Sequence, residues 1–358
     1  MIARTIVRAV IAAAALSSVA AAGGRAHAAP ATAPASGGLA ELFRELGAAL
    51  DAAIAERVPR PPVPVAVSWR DRRIGSIDLG APLLAVAAAD LDRDGRAELA
   101  ALTTREVVVL AVRDRSLVEK ARAPLGGEPA PVRPRDPVGV LAVDTASDGG
   151  TVLVARSSER ADAVRLGWQK GRMVELDRRP GFPLCGGTME LAPGRNYFTG
   201  AGAQVGGERL LTPLPVGFLS VVCTGPMADA RGGRIAVAAI VDLDRVLHVR
   251  CRSAAGGECA ATVKGRDYDG VGVAAEIADI DNDGMPEVMT TRGGAPGDRD
   301  RVSVFSVVGG KVAKVYSKDF HAGVVGLGAG DLDGDGDRDV IVAVRFAGSH
   351  HVSFWTLN

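Results

Sequence analysis

Three stretches of this chain share one grammar, and that grammar limits the folds open to it. Residues 86–103 read VAAADLDRDGRAELAALT, residues 275–291 read AEIADIDNDGMPEVMTT, and residues 327–344 read LGAGDLDGDGDRDVIVAV. Each is a small-apolar run, then D-x-D-x-D-G, then an acid at the ninth position, then a second apolar run. A third strand-like run follows each: EVVVLAV, RVSVFSV and HHVSFWTL. After the first two come a turn and a fourth run, SLVEKARAPL and KVAKVYSKDF. Short runs rich in Val, Ile, Ala and Leu between Gly, Asp and Arg turns are strand signals. A four-strand unit of this kind cannot bury its faces alone and must pack against further copies of itself.

The loops start at Asp90, Asp279 and Asp331, so the last two are 52 residues apart and the first gap of 189 holds nearly four such periods. Degenerate copies are expected in that gap. VGVLAVDTASDGGTVLVARSS keeps Asp144, Asp148 and Gly149 without the spacing, LSVVCTGPMADARGGRIAVAAIV keeps the strand–turn–strand shape without the acids, and GGTMELAPGRNYFTGAG is a weaker third. About six repeats of four strands, at a period of roughly 40–50 residues, predict an all-β chain folded as a β-propeller; seven blades is the alternative count. The last copy stops after its third strand. Near the start, VAVSWRDRRIGSIDLGAP reads as a third strand, a turn and a fourth, so residues 74–79 are expected to complete the last blade.

The acids set the chemistry. In the third loop Asp331, Asp333 and Asp335 hold positions 1, 3 and 5, Gly336 permits the sharp turn, Asp337 offers a backbone carbonyl, and Asp339 closes the set at position 9. The second loop supplies Asp279, Asp281, Asp283, the Met285 carbonyl and Glu287. The first supplies Asp90, Asp92, Asp94, the Arg96 carbonyl and Glu98. Six or seven oxygen donors suit a hard cation, and calcium is the natural choice, at about three sites. Without a cation, clustered carboxylates repel one another. The helical calcium loop needs a glutamate at position 12 and helices on both sides. Position 12 here is Ala101, Thr290 or Val342, and the flanks are strand-like.

Outside the repeats, MIARTIVRAVIAAAALSSVAAAGGRAHAAP has a basic start, an apolar stretch and an Ala26-His27-Ala28 cleavage site, the pattern of a secretory signal peptide over residues 1–28. Residues 29–38 form a Pro/Ala/Ser/Gly tether. Residues 39–58 place Leu39, Leu42, Phe43, Leu46, Leu50 and Ile54 at helical spacing, predicting an amphipathic helix, and a Pro-rich linker runs to residue 64. No later segment is long and apolar enough to span a bilayer. The expected product is exported, to the periplasm, the cell surface or beyond. The four cysteines, Cys185, Cys223, Cys251 and Cys259, suit disulfides in that compartment. Cys251–Cys259 with Cys185–Cys223 is one pairing, and the other two connectivities stay open. With 42 basic and 42 acidic residues the net charge is zero, which argues against nucleic acid as a partner.

The three loops and their period resemble the FG-GAP/VCBS repeat family, over about residues 65–358. That resemblance implies an integrin-α-like propeller with calcium held between the first two strands of a blade. It also implies protein or glycan contacts through the loops of one face. Propellers of this general kind also occur in polysaccharide lyases and hydrolases. The chain has no G-x-S-x-G elbow, His248 alternates within a strand, and His350 and His351 are neighbours that face opposite ways on a strand. Trp69, Trp168 and Trp355 fall at similar points of the repeat, either as a sugar-stacking surface or as filling between blades. The expectation is a non-catalytic binding module for a protein or carbohydrate ligand. The alternatives are an enzyme of the lyase or hydrolase type, or an envelope subunit docked through the N-terminal helix.

Overall fold

The structure, a computed structural model, describes residues 69–358 apart from 114–115, 132–134, 181, 185–188, 192–202, 206–217, 224–226, 229–233, 254–257, 265–269, 293–298, 309–310 and 347. The expected signal peptide, tether, amphipathic helix and linker lie outside the described residues. Among the described residues there are 24 strands and no helix, and no helix long and apolar enough to cross a membrane.

Strand β1 (Asp71–Asp78) is used last. Blade I follows it, with β2 (Leu83–Ala89), β3 (Glu98–Thr103), β4 (Glu106–Arg113) and β5 (Ser116–Pro124) paired in that order. Blade II repeats the meander with β6 (Gly139–Thr145), β7 (Thr151–Ser157), β8 (Asp162–Gln169) and β9 (Arg172–Pro180). Next come three strands of three residues each, β10 (Phe182–Leu184), β11 (Met189–Leu191) and β12 (Ala203–Val205), in a three-stranded sheet. Blade III pairs β13 (Phe218–Cys223), β15 (Arg234–Asp242), β16 (Val246–Ser253) and β17 (Glu258–Lys264), with the two-residue β14 (Met227–Ala228) also on β15. Blade IV is β18 (Val271–Ala278), β19 (Glu287–Arg292), β20 (Asp300–Val308) and β21 (Lys311–Phe320). Blade V is β22 (Gly323–Gly330), β23 (Asp339–Arg345) and β24 (His351–Leu357), with β1 as its fourth strand.

The molecule is therefore a propeller of five four-stranded antiparallel blades, where six were expected. Around the weakest repeat the described residues form the small β10–β12 sheet. The sequence there carries Pro180, Pro183 and Pro193 among Gly181, Gly186, Gly187 and Gly194. Proline removes ladder donors and glycine weakens a strand, so this composition is a poor template for a four-stranded repeat. Strand β10 contacts both β6 and β13. Elsewhere the first strands stand side by side, β2 against β6 and β22, and β18 against β22 and β13.

Ring closure follows the expected route. Residues 71–78 run antiparallel to β24, from Asp71 opposite Leu357 to Asp78 opposite His351. The Leu79 amide donates to the His350 carbonyl at 3.1 Å, and the Arg70 amide to the Asn358 carbonyl at 2.8 Å. This covers an edge that would otherwise expose unpaired backbone groups.

The cores lie between blades. One cluster joins Leu102 and Val109 of blade I to Leu153 and Leu166 of blade II. A second joins Ile74 and Phe354 to Leu99 and Leu110, and a third joins Met289 and Val304 to Val340 and Val342. A fourth joins Val237 and Leu247 to Val288 and Val307. Strands β3 and β23 are buried along nearly their whole length, because a strand with a blade on each face needs apolar residues on both. Trp168 packs on the first of these clusters, and Trp69 and Trp355 on the third. Trp69 lies 5.0 Å from Tyr316 between ring centroids, and Trp355 lies edge-on to Phe320 at 6.0 Å. The three tryptophans fill space between blades, as the second of the two sequence readings had it.

Candidate metal centre

Each of the three acidic loops joins the first and second strands of a blade: β2 to β3, β18 to β19, and β22 to β23. Their internal hydrogen bonds repeat position by position. The position-1 carboxylate accepts from the position-6 glycine amide: Gly95 to Asp90 at 3.0 Å, Gly284 to Asp279 at 3.1 Å, Gly336 to Asp331 at 2.9 Å. The position-5 carboxylate accepts from the position-7 amide: Arg96 to Asp94 at 3.0 Å, Met285 to Asp283 at 2.7 Å, Asp337 to Asp335 at 2.9 Å. The position-9 acid accepts from the position-2 amide: Leu91 to Glu98 at 2.9 Å, Ile280 to Glu287 at 3.0 Å, Leu332 to Asp339 at 3.2 Å. The glycine at position 6 has φ of +88°, +84° and +94° in the three loops, a backbone conformation that L side chains rarely adopt. Position 4 is also left-handed, at Arg93, Asn282 and Gly334, a requirement that the sequence pattern did not expose.

This backbone scaffold turns carboxylate oxygens toward one another. Ligand atoms of Asp90, Asp92 and Asp94 lie within 4.8 Å of one another, as do those of Asp279, Asp281 and Glu287, and those of Asp331, Asp333 and Asp335. Glu98, Asp283 and Asp339 stand outside these triples. The position-9 acids are the most buried members, at 2%, 3% and 5% exposure for Glu98, Glu287 and Asp339. Buried carboxylates need partners, yet the Asp92 and Asp279 Oδ1 atoms have none. Burial, together with the charges of Asp281, Asp283 and Asp279, pushes the Glu287 carboxyl up to about 8. Asp339 is pushed up to about 6 by burial and then by Asp333, Asp335 and Asp331. Burial is also the leading cause that raises Asp279 and Asp283. A cation among them would favour the charged form of all four carboxyls. A hard divalent ion fits this all-oxygen donor set.

The first loop differs. The Lys120 ammonium of β5 donates to Asp92 Oδ2 and, at 2.7 Å, to Glu98 Oε1. Burial opposes its charge, but those two hydrogen bonds outweigh that effect and hold its pKa above the ordinary lysine value. It lies 5.3 Å from the centre of the Trp168 ring.

The loops touch. Asn282 Nδ2 of the second donates to Asp337 Oδ1 of the third at 2.7 Å, and the Ala97 amide of the first donates to the Asp331 carbonyl of the third at 2.8 Å. Arg96 lies against Gly334, where an added Cβ would come within 3.2 Å of its side chain. The loops thus form one continuous acidic rim across blades IV, V and I. The first and third are 241 residues apart in sequence and meet where the inner strands β2 and β22 pack together.

Inside that rim is a cavity of about 810 Å³, lined by β2, β6, β13, β18 and β22, with Asp90, Asp331 and Arg338 among its lining residues. Glu276 of β18 is its remaining acid. Burial raises the Glu276 carboxyl to about 7, against a hydrogen bond from the Ile277 amide and the charge of Arg338. Sequence reading passed over Glu276; the available signal was one acid in an inner strand, VGVAAEIA, otherwise built of small and apolar residues.

The remaining sequence candidates are placed as follows. His248 Nε2 pairs with Asp242 Oδ2 at 2.7 Å within blade III, so it is held by a local carboxylate. Cys251 and Cys259 stand directly opposite each other on β16 and β17, Cys223 is on β13, and Cys185 lies outside the described residues. No cysteine among the described residues is free.

No family model matches the sequence, and no curated protein matches it. Among solved structures, the core factor of S. cerevisiae aligns at 10% identity over 78% of this chain and 48% of that one, with a TM-score of 0.34. A mutant of AofleA from Arthrobotrys oligospora aligns at 12% identity over 77% and 69%, with a TM-score of 0.32. A tail fiber of a Staphylococcus aureus phage aligns at 10% over 86% and 56%, with a TM-score of 0.37. This chain spans about half the length of the core factor chain, and likenesses this distant say nothing of its function.

Proposed function

We propose that this chain is an exported, calcium-binding β-propeller of the FG-GAP/VCBS type that acts as a non-catalytic binding module for a protein or carbohydrate ligand. The observation that carries the calcium reading is the threefold recurrence of converging carboxylates on one backbone scaffold. Asp279, Asp281, Asp283 and Glu287, with the Met285 carbonyl, would hold one ion. Asp331, Asp333, Asp335 and Asp339, with the Asp337 carbonyl, would hold a second, and Asp90, Asp92, Asp94, Glu98 and the Arg96 carbonyl form the matching third set. Calcium here is structural: it ties the innermost strand of a blade to its neighbour. The β10–β12 sheet is read as a reduced sixth blade, in keeping with its contacts to β6 and β13. The facing positions of Cys251 and Cys259 favour a disulfide between them, with Cys185–Cys223 as the other pair, and disulfides suit an exported chain.

Extracellular sites of this class bind weakly, with dissociation constants of roughly 10⁻⁴–10⁻³ M. At tenfold that concentration each occupied site adds about 1.4 kcal/mol to stability. A chelator should therefore lower the melting temperature and added calcium should restore it, with Asp331→Ala losing part of that response. Superimposable melting curves with and without EDTA would remove the calcium reading.

A further inference from the structure

Four of the outermost strands carry a one-residue bulge at the same place. The extra residue is Ile74 in β1, Lys120 in β5, Leu176 in β9 and Val315 in β21. In the blade of the second acidic loop that residue is Val315, and in the blade of the third it is Ile74, and both pack into apolar clusters. Only in blade I is it a lysine. A bulge re-aims a side chain, and here the side chain is long enough to reach the metal loop. Its side chain is 15% exposed, and the ammonium sits on Asp92 and on the nearly inaccessible Glu98. Among the described residues no lysine or arginine forms an ion pair with any acid of the second or third loop.

We infer that Lys120 is a built-in counter-cation that takes the place of calcium in the first loop, so that the chain binds two calcium ions and not three. This rests on the calcium reading of the second and third loops. Two of the four acids in the first set already accept hydrogen bonds from an ammonium. A divalent ion entering there would lose those ligands or be forced close to a like charge. Affinity at such sites follows the number of free charged ligands. The first loop keeps Asp90 and Asp94 uncommitted, whereas the other two keep all of theirs. The ammonium is tethered to β5, so the joint between β2 and β3 in blade I would hold at any calcium concentration. The joints in blades IV and V would tighten only when the ion is present.

The test is a count of bound calcium by equilibrium dialysis of the full chain at about 1 mM free calcium. Wild type should retain two ions. Lys120→Met, which keeps the apolar stem and removes the charge, should retain three, and adding Asp92→Asn to it should return the count to two. Three ions on the wild type, or an unchanged count in a folded Lys120→Met, overturns the inference while leaving the calcium reading standing. A second variant needs no change at Lys120: Asp279→Asn with Asp331→Asn should retain no calcium, and one retained ion would mean that the first loop is open to it. No ion on any of these proteins would remove the calcium reading itself, and the inference with it.

Discussion

Glu276 lies only three residues before the second acidic loop, but it faces the central cavity instead of the rim. Its carboxyl is raised from an ordinary 4.5 to about 7, first by burial. A group whose folded pKa is raised in this way binds its proton more tightly in the folded state. Below about pH 4.5 both states are protonated and the fold suffers no penalty. As pH rises from there to about 7 the unfolded chain ionises freely while the folded one resists, and stability falls by roughly 1–3 kcal/mol. Arg338 is the facing charge that limits this loss. Glu276→Gln should therefore gain stability relative to wild type at pH 8 and little at pH 5. Urea midpoints compared at both pH values, in excess calcium so that the loop acids stay ionised, check this. An equal difference at the two pH values would mean that water in the cavity already solvates the carboxylate. At this scale the sequence was legible where residue type alone decides function. The paired aspartates at positions 1, 3 and 5 and the glycine at position 6 could all be read from their spacing. Lys120 could not, because its role depends on a bulge that sets β5 one residue out of step with β4.

Strands β22 and β2 meet at the centre of the ring, and their separation is set by small residues. Gly330 of β22 stands opposite Asp339 in register. A Cβ added there would fall 2.6 Å from Cβ of Ala88 on β2. That contact involves the stem of a side chain, which cannot swing away, so Gly330→Ala has to push two blades apart. Overpacking of this kind costs about 1–3 kcal/mol. Ala88→Gly opens the space at the smaller cost of a glycine within a strand, about 0.5–1 kcal/mol. The double variant should be more stable than the sum of the two single changes implies, as measured by chemical denaturation. Strict additivity would show that the strands are not in contact at this point. Elements were most legible where each strand alternates or is wholly apolar between Gly–Asp turns, as in β2–β5 and β18–β24. They were least legible across residues 181–217, where the sequence is rich in proline and glycine and lacks the acidic loop, and where the described strands β10–β12 have three residues each. A count by period gives six blades, where the described residues show five four-stranded blades and the smaller β10–β12 sheet.

At the scale of the molecule, the eight residues of β1, far in sequence from the rest of blade V, complete that blade. Strand β1 lends blade V its outer strand, and its Ile74 side chain is 1% exposed. It packs with Phe354 and Val352 of its own blade and with Leu99, Val108 and Leu110 of blade I. The exposed Lys318–Asp71 pair at 2.8 Å adds little by comparison, since surface ion pairs are worth about 0–1 kcal/mol. This closure was readable from the early third-and-fourth-strand pattern. Its consequence for the site was not, because nothing in the spacing of Asp90 and Asp331 says that they become neighbours. Ile74→Ala should cost about 2–5 kcal/mol through the cavity it leaves. If β1 locks the ring, the loss will not stay local. Amide exchange in β22–β24 and in β2–β3 should accelerate together, since both sheets lean on the same cluster and should open as one unit. Faster exchange confined to Asp71–Asp78 would mean that the strand only covers an edge and that the ring is closed by the inner strands. In the first case the backbone bond from Ala97 to Asp331 should be lost in the same opening event. The third loop would then lose its brace, and the calcium-dependent rise in melting temperature would shrink in Ile74→Ala even though every acid is still present.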